Sequence, residues 1–492
     1  MTGQKTPVKE IQAREIQARE IQVRNPRTGL RDYQFTATGK TGIQQACQQL
    51  RTAQKNWLAC GLDKRISILL AFGEAIKDDR KELIEALVTD TGRQGLSIME
   101  VDIIAPGIDR WVRIAKEARA PAQGRSTALP FITYSIEKRP YALVGVISPW
   151  NFPLTLSLID AIPALIAGAA VIIKPSEITP RFAVPLRKII ATVPELRSVL
   201  TVVDGDGKTG QAIVDQVDAI CFTGSVPTGR MVGEQAAHNF SVAFLELGGK
   251  DPAIVLENAD VERAVTAILR GSIVNSGQAC QSIERIYVAR PIYDKFVEKL
   301  IAKAKKIRLN TPHIHSGHLG PIIFEKQANI IAEQIKDARD KGATIHTGGQ
   351  IENHGGLWCA PTVITGLTGD MLIMSEETFG PLLPVIAFDH VDEAVTMAND
   401  SKFGLSASIF AATAQEAIEV GCRIEAGAIS INDAALTSLM YEAEKNSFKL
   451  SGLGASRMGP SGYLRFFRKQ SFMTNEAEVF TIDQFDETHS TP

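Results

Sequence analysis

From Val144 to Phe222 short apolar, strand-forming runs alternate with helical stretches, and no other feature narrows the possible folds as far. Val144-Gly145-Val146-Ile147-Ser148, Ala169-Ala170-Val171-Ile172-Ile173, Leu200-Thr201-Val202-Val203 and Ala219-Ile220-Cys221-Phe222 read as strands, with a helix around Pro185 to Ile190. Such alternation argues a parallel sheet with helices on both faces. It starts again after Gly249, from Ala253-Ile254-Val255 through Val385-Ile386-Ala387-Phe388 to Ala428-Ile429-Ser430-Ile431. A chain of 492 residues is also too long for one core, so two α/β units are expected, with a boundary near Gly249.

One stretch invites a different reading. Phe152 to Ile173 is almost wholly apolar and long enough to span a bilayer. Pro153 and Pro163 break it, Asp160 sits in its middle and Gly168 divides it, so the expectation is a buried helix followed by a buried strand. No membrane span is expected.

The flanks read more simply. Thr41 to Leu87 carries apolar residues at threes and fours, a helical pattern. After Gly92 and Gly95, Ile98 to Ala118 reads as helix with a kink at Pro106. Ile132 to Pro140 is rich in strand formers and suits an exposed hairpin, and Ala477 to Ile482 reads as a tail strand. The N-terminus repeats Glu-Ile-Gln-Ala-Arg at Glu10, Glu15 and Glu20, with Val23 in the last unit. Glu four residues before Arg favours helix, but a five-residue period advances about 500° and gives the isoleucines no common face. Residues 1–24 are expected to be a flexible extension.

A net charge of −2 implies no nucleic-acid partner. The six cysteines are scattered, without a Cys-x-x-Cys pair or zinc spacing, which suits reduced thiols in the cytoplasm; the opening is polar, with no apolar signal segment. His313, His315 and His318 lie close together, but Pro312 and Gly317 among them read as a surface loop, and no metal site is expected.

Six stretches carry residues suited to chemistry. Gly277-Gln278-Ala279-Cys280 sets a single thiol after a glycine; a thiol is a nucleophile only as its thiolate, and many free cysteines are inert core residues. Pro149-Trp150-Asn151-Phe152-Pro153 follows a strand, where ligands bind in open α/β sheets, so Asn151 is either an oxyanion donor or a helix cap. Lys174-Pro175-Ser176-Glu177 also follows a strand and could hold two ribose hydroxyls. Phe222-Thr223-Gly224-Ser225 to Gly229 is a strand, a glycine turn and a helix start, a ready anion site. Glu246-Leu247-Gly248-Gly249-Lys250 offers a general base or a solvated turn. Glu376-Glu377-Thr378-Phe379-Gly380-Pro381 offers paired carboxylates or a solvated face. The chain has no G-x-G-x-x-G.

In content and order these six stretches resemble the aldehyde dehydrogenase superfamily over nearly all of the chain after about Asn25. The resemblance implies Cys280 as nucleophile, Glu246 as general base and Asn151 as oxyanion donor beside the Cys280 backbone N–H. It implies that Lys174 and Glu177 hold the adenosine ribose, that Ser225 in its Gly224 to Gly229 turn meets the pyrophosphate, and that Glu377 binds the nicotinamide ribose. Trp150, Leu247 and Phe379 would line the same cofactor site. The implied fold has two Rossmann-like open-sheet domains, for cofactor and catalysis, and a small β oligomerisation arm. The corresponding division is 25–121 and 141–248 for NAD, 122–140 and 470–492 for the arm, 249–435 for catalysis, and 436–469 returning to the cofactor domain. The implied reaction oxidises a small-molecule aldehyde to a carboxylic acid, with hydride transfer to NAD, through a thiohemiacetal and a thioester. Glu177 favours NAD over NADP, which remains usable. A homodimer or homotetramer is implied.

The chain departs from the family pattern at one place. Before Lys449-Leu450-Ser451-Gly452, where many members carry Pro-Phe-Gly-Gly, it reads Glu444-Lys445-Asn446-Ser447. Asp433 to Tyr441 lies where the family shapes its substrate mouth, so the substrate is left open. Two alternatives stand beside hydrolytic oxidation. One is a CoA-acylating relative, disfavoured by Glu246; the other is a silent structural relative, disfavoured by the full set of site residues.

Overall fold

The computed structural model describes residues 19–487. Leu143–Ile147 and Ala170–Lys174 are buried at every position, as strands covered on both faces must be. They form the centre of a six-stranded sheet ordered Gly452–Leu453, Val242–Glu246, Ala219–Thr223, Leu143–Ile147, Ala170–Lys174, Leu200–Val202. All neighbours are parallel except the short Gly452–Leu453 edge. The chain runs outward from Leu143–Ile147 to Leu200–Val202, then returns to the other side at Ala219–Thr223. The strand order therefore reverses between Leu143–Ile147 and Ala219–Thr223, the place where open α/β sheets bind ligands beyond their carboxyl ends. Asn151, Lys174, Ser225 and Glu246 all leave the sheet at that edge.

A second sheet has seven strands, ordered Thr344–Ile345, Thr362–Thr365, Leu382–Phe388, Ile283–Ala289, Asp251–Val255, Ser406–Phe410, Ala428–Ile431. Only its first strand runs antiparallel. Its amino edge, with Gly249, Cys280 and Glu377, meets the carboxyl edge of the first sheet.

The apolar stretch forms the helix Pro153–Ala167 and then the strand Ala170–Lys174. Pro153 stands in the first turn, where its missing N–H costs nothing, and Gly168 ends the helix at φ 111°, a left-handed value that glycine adopts freely. Asp160, buried in that helix, receives Arg457 at 2.7 Å and a second contact from Arg465. Burial opposes its charge, but the two guanidiniums outweigh it and hold the carboxyl below its usual value. The acid thus clamps the C-terminal segment onto the first sheet. No helix among the described residues is long and apolar enough to cross a membrane.

Four expectations need correction. Glu20–Arg24 is no flexible extension: it is a strand paired antiparallel with Arg31–Thr36, and Val23, the residue that departs from the repeat, is buried. Residues 10–18, the other repeat units, lie outside the described residues. The helix break falls at Ile103, between Gly95–Asp102 and Ile104–Glu117, so Pro106 sits in a first turn and makes no kink. The hairpin strand Ile132–Pro140 has no free edge, because Ala122–Arg125 and Phe467–Asn475 pair on its two sides. The tail strand is that same Phe467–Asn475, and residues 477–481 have no regular structure.

Candidate active site

Cys280 follows a strained turn. After the helix Val261–Ile273 the chain makes one tight turn, Val274–Gly277, in which Asn275, Ser276 and Gly277 all take positive φ (56°, 56° and 73°). Side-chain-bearing residues hold such values only when their surroundings enforce them. Here a Cβ at Gly277 would collide with the Gly380 carbonyl, so only glycine fits. The buried Gln278 amide donates to Asn275 O (2.9 Å) and Pro321 O (3.2 Å), and its oxygen accepts from Ile323 N (2.8 Å). The Gly-Gln pair before the cysteine is thus a staple that presents the thiol.

Cys280, Asn151 and Glu246 line one cavity of about 340 Å³. Asn151 Nδ2 donates to Gln278 O at 3.0 Å, which turns the amide toward Cys280. Its carbonyl accepts from Arg93 Nη2 (2.7 Å), and Arg93 pairs with buried Glu100, whose carboxylate accepts the N–H groups of Leu154 and Thr155. Asn151 is therefore held from both sides rather than serving as a cap. Glu246 ends its strand half-buried, and its Oε2 accepts a hydrogen bond from Ser447 Oγ at 3.3 Å. It is not a solvated turn residue. Enclosure of the Cys280 thiol pushes it up to about 11; Lys445 and Arg457 favour the thiolate, whereas Asp251 and Glu246 oppose it.

The remaining wall is largely apolar: Ile103, Phe152, Leu156, Ile159 and Met458. Met99 (47% exposed) and Leu439 (66% exposed) line it toward solvent.

A second group of residues continues from this cavity along the edge of the first sheet. Leu247 belongs to both, lining the cavity and packing on Gly229, where a Cβ would strike its side chain. Gly229 thus serves packing. Gly224 N donates to Glu246 O (3.1 Å), and Ser225 precedes the helix Val226–His238 without capping it, its hydroxyl donating to Thr228 Oγ1 (3.1 Å). That open helix start suits an anion. Lys174 Nζ is buried and spends its three protons on Pro175 O (2.9 Å), Gly205 O (3.0 Å) and Glu177 Oε2 (3.3 Å). Burial lowers its pKa, with Glu177 opposing that shift. Glu177 itself is 38% exposed and keeps an oxygen for another donor.

The two carboxylates of Glu376-Glu377 part company. Glu376 pairs with Lys402 on the surface, while Glu377 turns inward and accepts from Gly249 N (3.0 Å). Its carboxylate packs against Gly248, where a Cβ would fill the space. Burial and the Glu284 charge push Glu377 up to about 8, as expected of a carboxylate short of donors. Phe379, at φ 49°, stands edge-on to Trp150 with ring centres 5.4 Å apart. Glu284 enforces this turn: its oxygens accept Thr378 N (2.7 Å), Phe379 N (2.8 Å) and Lys250 Nζ (2.8 Å). Together these groups fit a dinucleotide: an open helix start for a pyrophosphate, and Glu177 and Glu377 with acceptors to spare for ribose hydroxyls. Among the described residues no group of three or more His, Cys, Asp or Glu could hold a metal ion.

Arg93, Glu100, Glu284, Lys445, Ser447 and Arg457 were not singled out from sequence as site residues. Only Lys445 and Ser447 carried a signal, as part of the segment that departs from the family pattern.

Comparison with known proteins agrees with this geometry. The aldehyde dehydrogenase family model matches residues 13–472. A Mycobacterium ulcerans protein provisionally named succinate-semialdehyde dehydrogenase [NADP(+)] 2 is 32% identical over 90% of this chain and 85% of its own. A 4,4'-diapolycopene aldehyde oxidase from Methylomonas sp is 34% identical over 89% of this chain and 82% of its own. Among solved structures, a provisionally described aldehyde dehydrogenase from Anabaena variabilis is 52% identical, covering 94% of this chain and 99% of that one, with a TM-score of 0.92. Betaine aldehyde dehydrogenase from Staphylococcus aureus, in complex with NAD+, is 30% identical, covering 94% and 93%, with a TM-score of 0.88. The chain belongs to the aldehyde dehydrogenase family, and it oxidises an aldehyde to the corresponding acid by that family's cysteine chemistry.

Proposed function

We propose that this enzyme oxidises aldehydes bearing an apolar tail, with NAD preferred over NADP, and that Cys280, Asn151 and Glu246 carry the reaction. The observation that carries this reading is the single cavity lined by all three residues, with apolar walls leading outward to Met99 and Leu439. Cys280 thiolate attacks the aldehyde carbon, forming the C–S bond. The oxyanion then meets the second proton of the Asn151 amide, since the first is on Gln278 O, and the Cys280 backbone N–H. A bound nicotinamide cofactor would supply the hydride acceptor, and Cys280 would then carry the acyl group as a thioester. Glu246 takes a proton from water as the water oxygen attacks that thioester, and the acid leaves as the thiol is restored. A carboxylate in the cavity disfavours acyl transfer to CoA.

The cofactor preference rests on Lys174 and Glu177. All three ammonium protons of Lys174 are engaged within the protein, so none is left for a 2′-phosphate, while Glu177 would repel one and can accept from a 2′-hydroxyl. The relatives divide on this point: the mycobacterial name specifies NADP, whereas the staphylococcal structure holds NAD+.

We also assign the cofactor to the domain of residues 25–121 and 141–248, catalysis to 249–435, and subunit contact to the arm of 122–140 and 470–492, with 436–469 returning to the cofactor domain. The free edges of Ala122–Arg125 and Phe467–Asn475 suit a homodimer or homotetramer; a monomer by light scattering at micromolar concentration would refute it. The six free cysteines suit a reducing cytoplasm, and finding the protein in an oxidising compartment would overturn that placement.

An aldehyde panel followed by NADH absorbance tests the reading. Medium and long aliphatic aldehydes should give the highest kcat/KM, and Cys280→Ala should abolish turnover with all of them. A preference for short charged aldehydes would overturn the apolar tail. Turnover by Cys280→Ala would overturn the nucleophile.

A further inference from the structure

Cys280 is half-buried, and desolvation pushes its thiol up to about 11, which makes it a poor nucleophile at neutral pH, because few molecules carry the thiolate. Of the charged groups around it, Lys445 and Arg457 favour the thiolate and Asp251 and Glu246 oppose it most, while Arg270 and Glu100 line the same cavity in ion pairs with Asp433 and Arg93. Three of the first four are committed elsewhere. Arg457 donates to Asp160 Oδ2 and Thr223 Oγ1, both at 2.7 Å. Asp251 accepts from the Ser406 backbone N–H (3.1 Å) and its hydroxyl, and Glu246 accepts from Ser447.

Lys445 differs from all of these. It lines the cavity beside Cys280, half-buried, and its ammonium makes no hydrogen bond or ion pair with another described residue. Its backbone is fixed on both sides. Glu444 accepts from Ser461 N (2.6 Å) and Ser461 Oγ (2.8 Å), Lys445 N donates to Ser456 Oγ (3.1 Å), and Ser447 Oγ reaches Glu246. Beyond them Phe448–Lys449 pairs with Phe403–Gly404. The departing Glu-Lys-Asn-Ser segment is thus anchored in place, and Lys445 is the residue of it that lines the cavity.

We propose that Lys445 raises the thiolate fraction of Cys280 above what it would otherwise be, acting through the nucleophile rather than on the substrate tail. This rests on Cys280 being the nucleophile. Lys445 stands two residues from Ser447, which holds Glu246 at the reacting end; Asp251 also feels its charge but is engaged by Ser406, which leaves the Cys280 thiolate as its uncommitted anion. A carboxylate at the far end of an outward-pointing tail would lie away from it.

The test compares the wild type with Lys445→Met and Lys445→Arg. Each is treated with iodoacetamide between about pH 6.5 and 8.5, and alkylation is followed on the Cys280 peptide by mass spectrometry. The peptide readout is needed because Cys60 and Cys422 are exposed thiols. Removing the cation raises the thiol pKa, so Lys445→Met should alkylate about tenfold more slowly at each pH, equivalent to about one pH unit. Lys445→Arg keeps the charge and should stay within about threefold of wild type by the same relation. With a neutral aliphatic aldehyde, kcat/KM of Lys445→Met should fall in parallel, its acid limb moving to higher pH. Equal Cys280 alkylation in wild type and Lys445→Met would overturn the proposal. So would a Lys445→Met defect confined to KM for carboxylate-bearing aldehydes, which would make the residue a substrate anchor. Turnover by Cys280→Ala would instead remove the nucleophile itself, a failure separable from both.

Discussion

Replacing Asn151 by alanine separates a catalytic amide from a structural one. In the structure the Asn151 amide gives one proton to Gln278 O at 3.0 Å, and that carbonyl also accepts Asn275 Nδ2 at 3.0 Å. Its loss therefore leaves no buried acceptor orphaned. The cost to folding should be that of one replaceable hydrogen bond, about 0.5–1.5 kcal/mol. The Arg93 and Asn275 contacts to the Asn151 carbonyl are to backbone and survive the change. In the proposed mechanism the second amide proton meets the oxyanion, and losing one such donor costs ~10²–10³ in kcat, roughly 2.7–4 kcal/mol. The variant should thus keep nearly all of its stability and lose most of its rate. Urea unfolding gives the first number. Single-turnover NADH formation, with saturating aldehyde and cofactor, gives the second. An unchanged single-turnover rate, or a rate loss matched by an equal loss of folding free energy, would refute the reasoning.

Two further predictions concern the cofactor cleft. Glu177→Ser should narrow the NAD over NADP preference in kcat/KM by about tenfold, near 1.4 kcal/mol, chiefly through better use of NADP; better use of NADP by the unmutated enzyme would refute the preference. Glu284→Gln should leave Lys250 buried without its counter-ion, destabilise the protein by about 3–5 kcal/mol and raise KM for NAD by loosening Glu377 to Phe379. An unshifted thermal midpoint and an unchanged KM would show that Glu284 does not hold that turn.

The parts of the site that each sit beside a strand end were legible in the sequence. Asn151, Lys174 and Ser225 follow short apolar runs, and a run of that kind fixes where its following residue emerges, whereas the strand that carries Glu246 was not read from the sequence. Gly277 and Gln278 marked Cys280 because a strained turn needs glycine and a staple close by. The supporting shell was not legible, because its partners meet only in the folded chain. Glu284 reaches Thr378 and Phe379 across nearly a hundred positions, and Arg457 reaches Asp160 across nearly three hundred. The same holds for the N-terminal repeat, where periodicity argued for a chain with no face to bury. In Glu20–Arg24 a single valine, set against the core by pairing with Arg31–Thr36, outweighs the helix-favouring charges. The tail strand was displaced for a related reason. Its position is set by register with Ile132–Pro140, which local strand propensity does not encode.

The most direct test of the account is to trap the intermediate that it requires. In Glu246→Gln the group that draws a proton from water is gone, while Cys280 and Asn151 remain in place. Mixing this variant with NAD and an aliphatic aldehyde, then quenching in acid, should give about one equivalent of NADH per site and little steady turnover. Mass spectrometry of the quenched protein should find the acyl group of that aldehyde on the Cys280 peptide. Steady turnover near the wild-type rate, or an acyl group on any residue other than Cys280, would contradict the account.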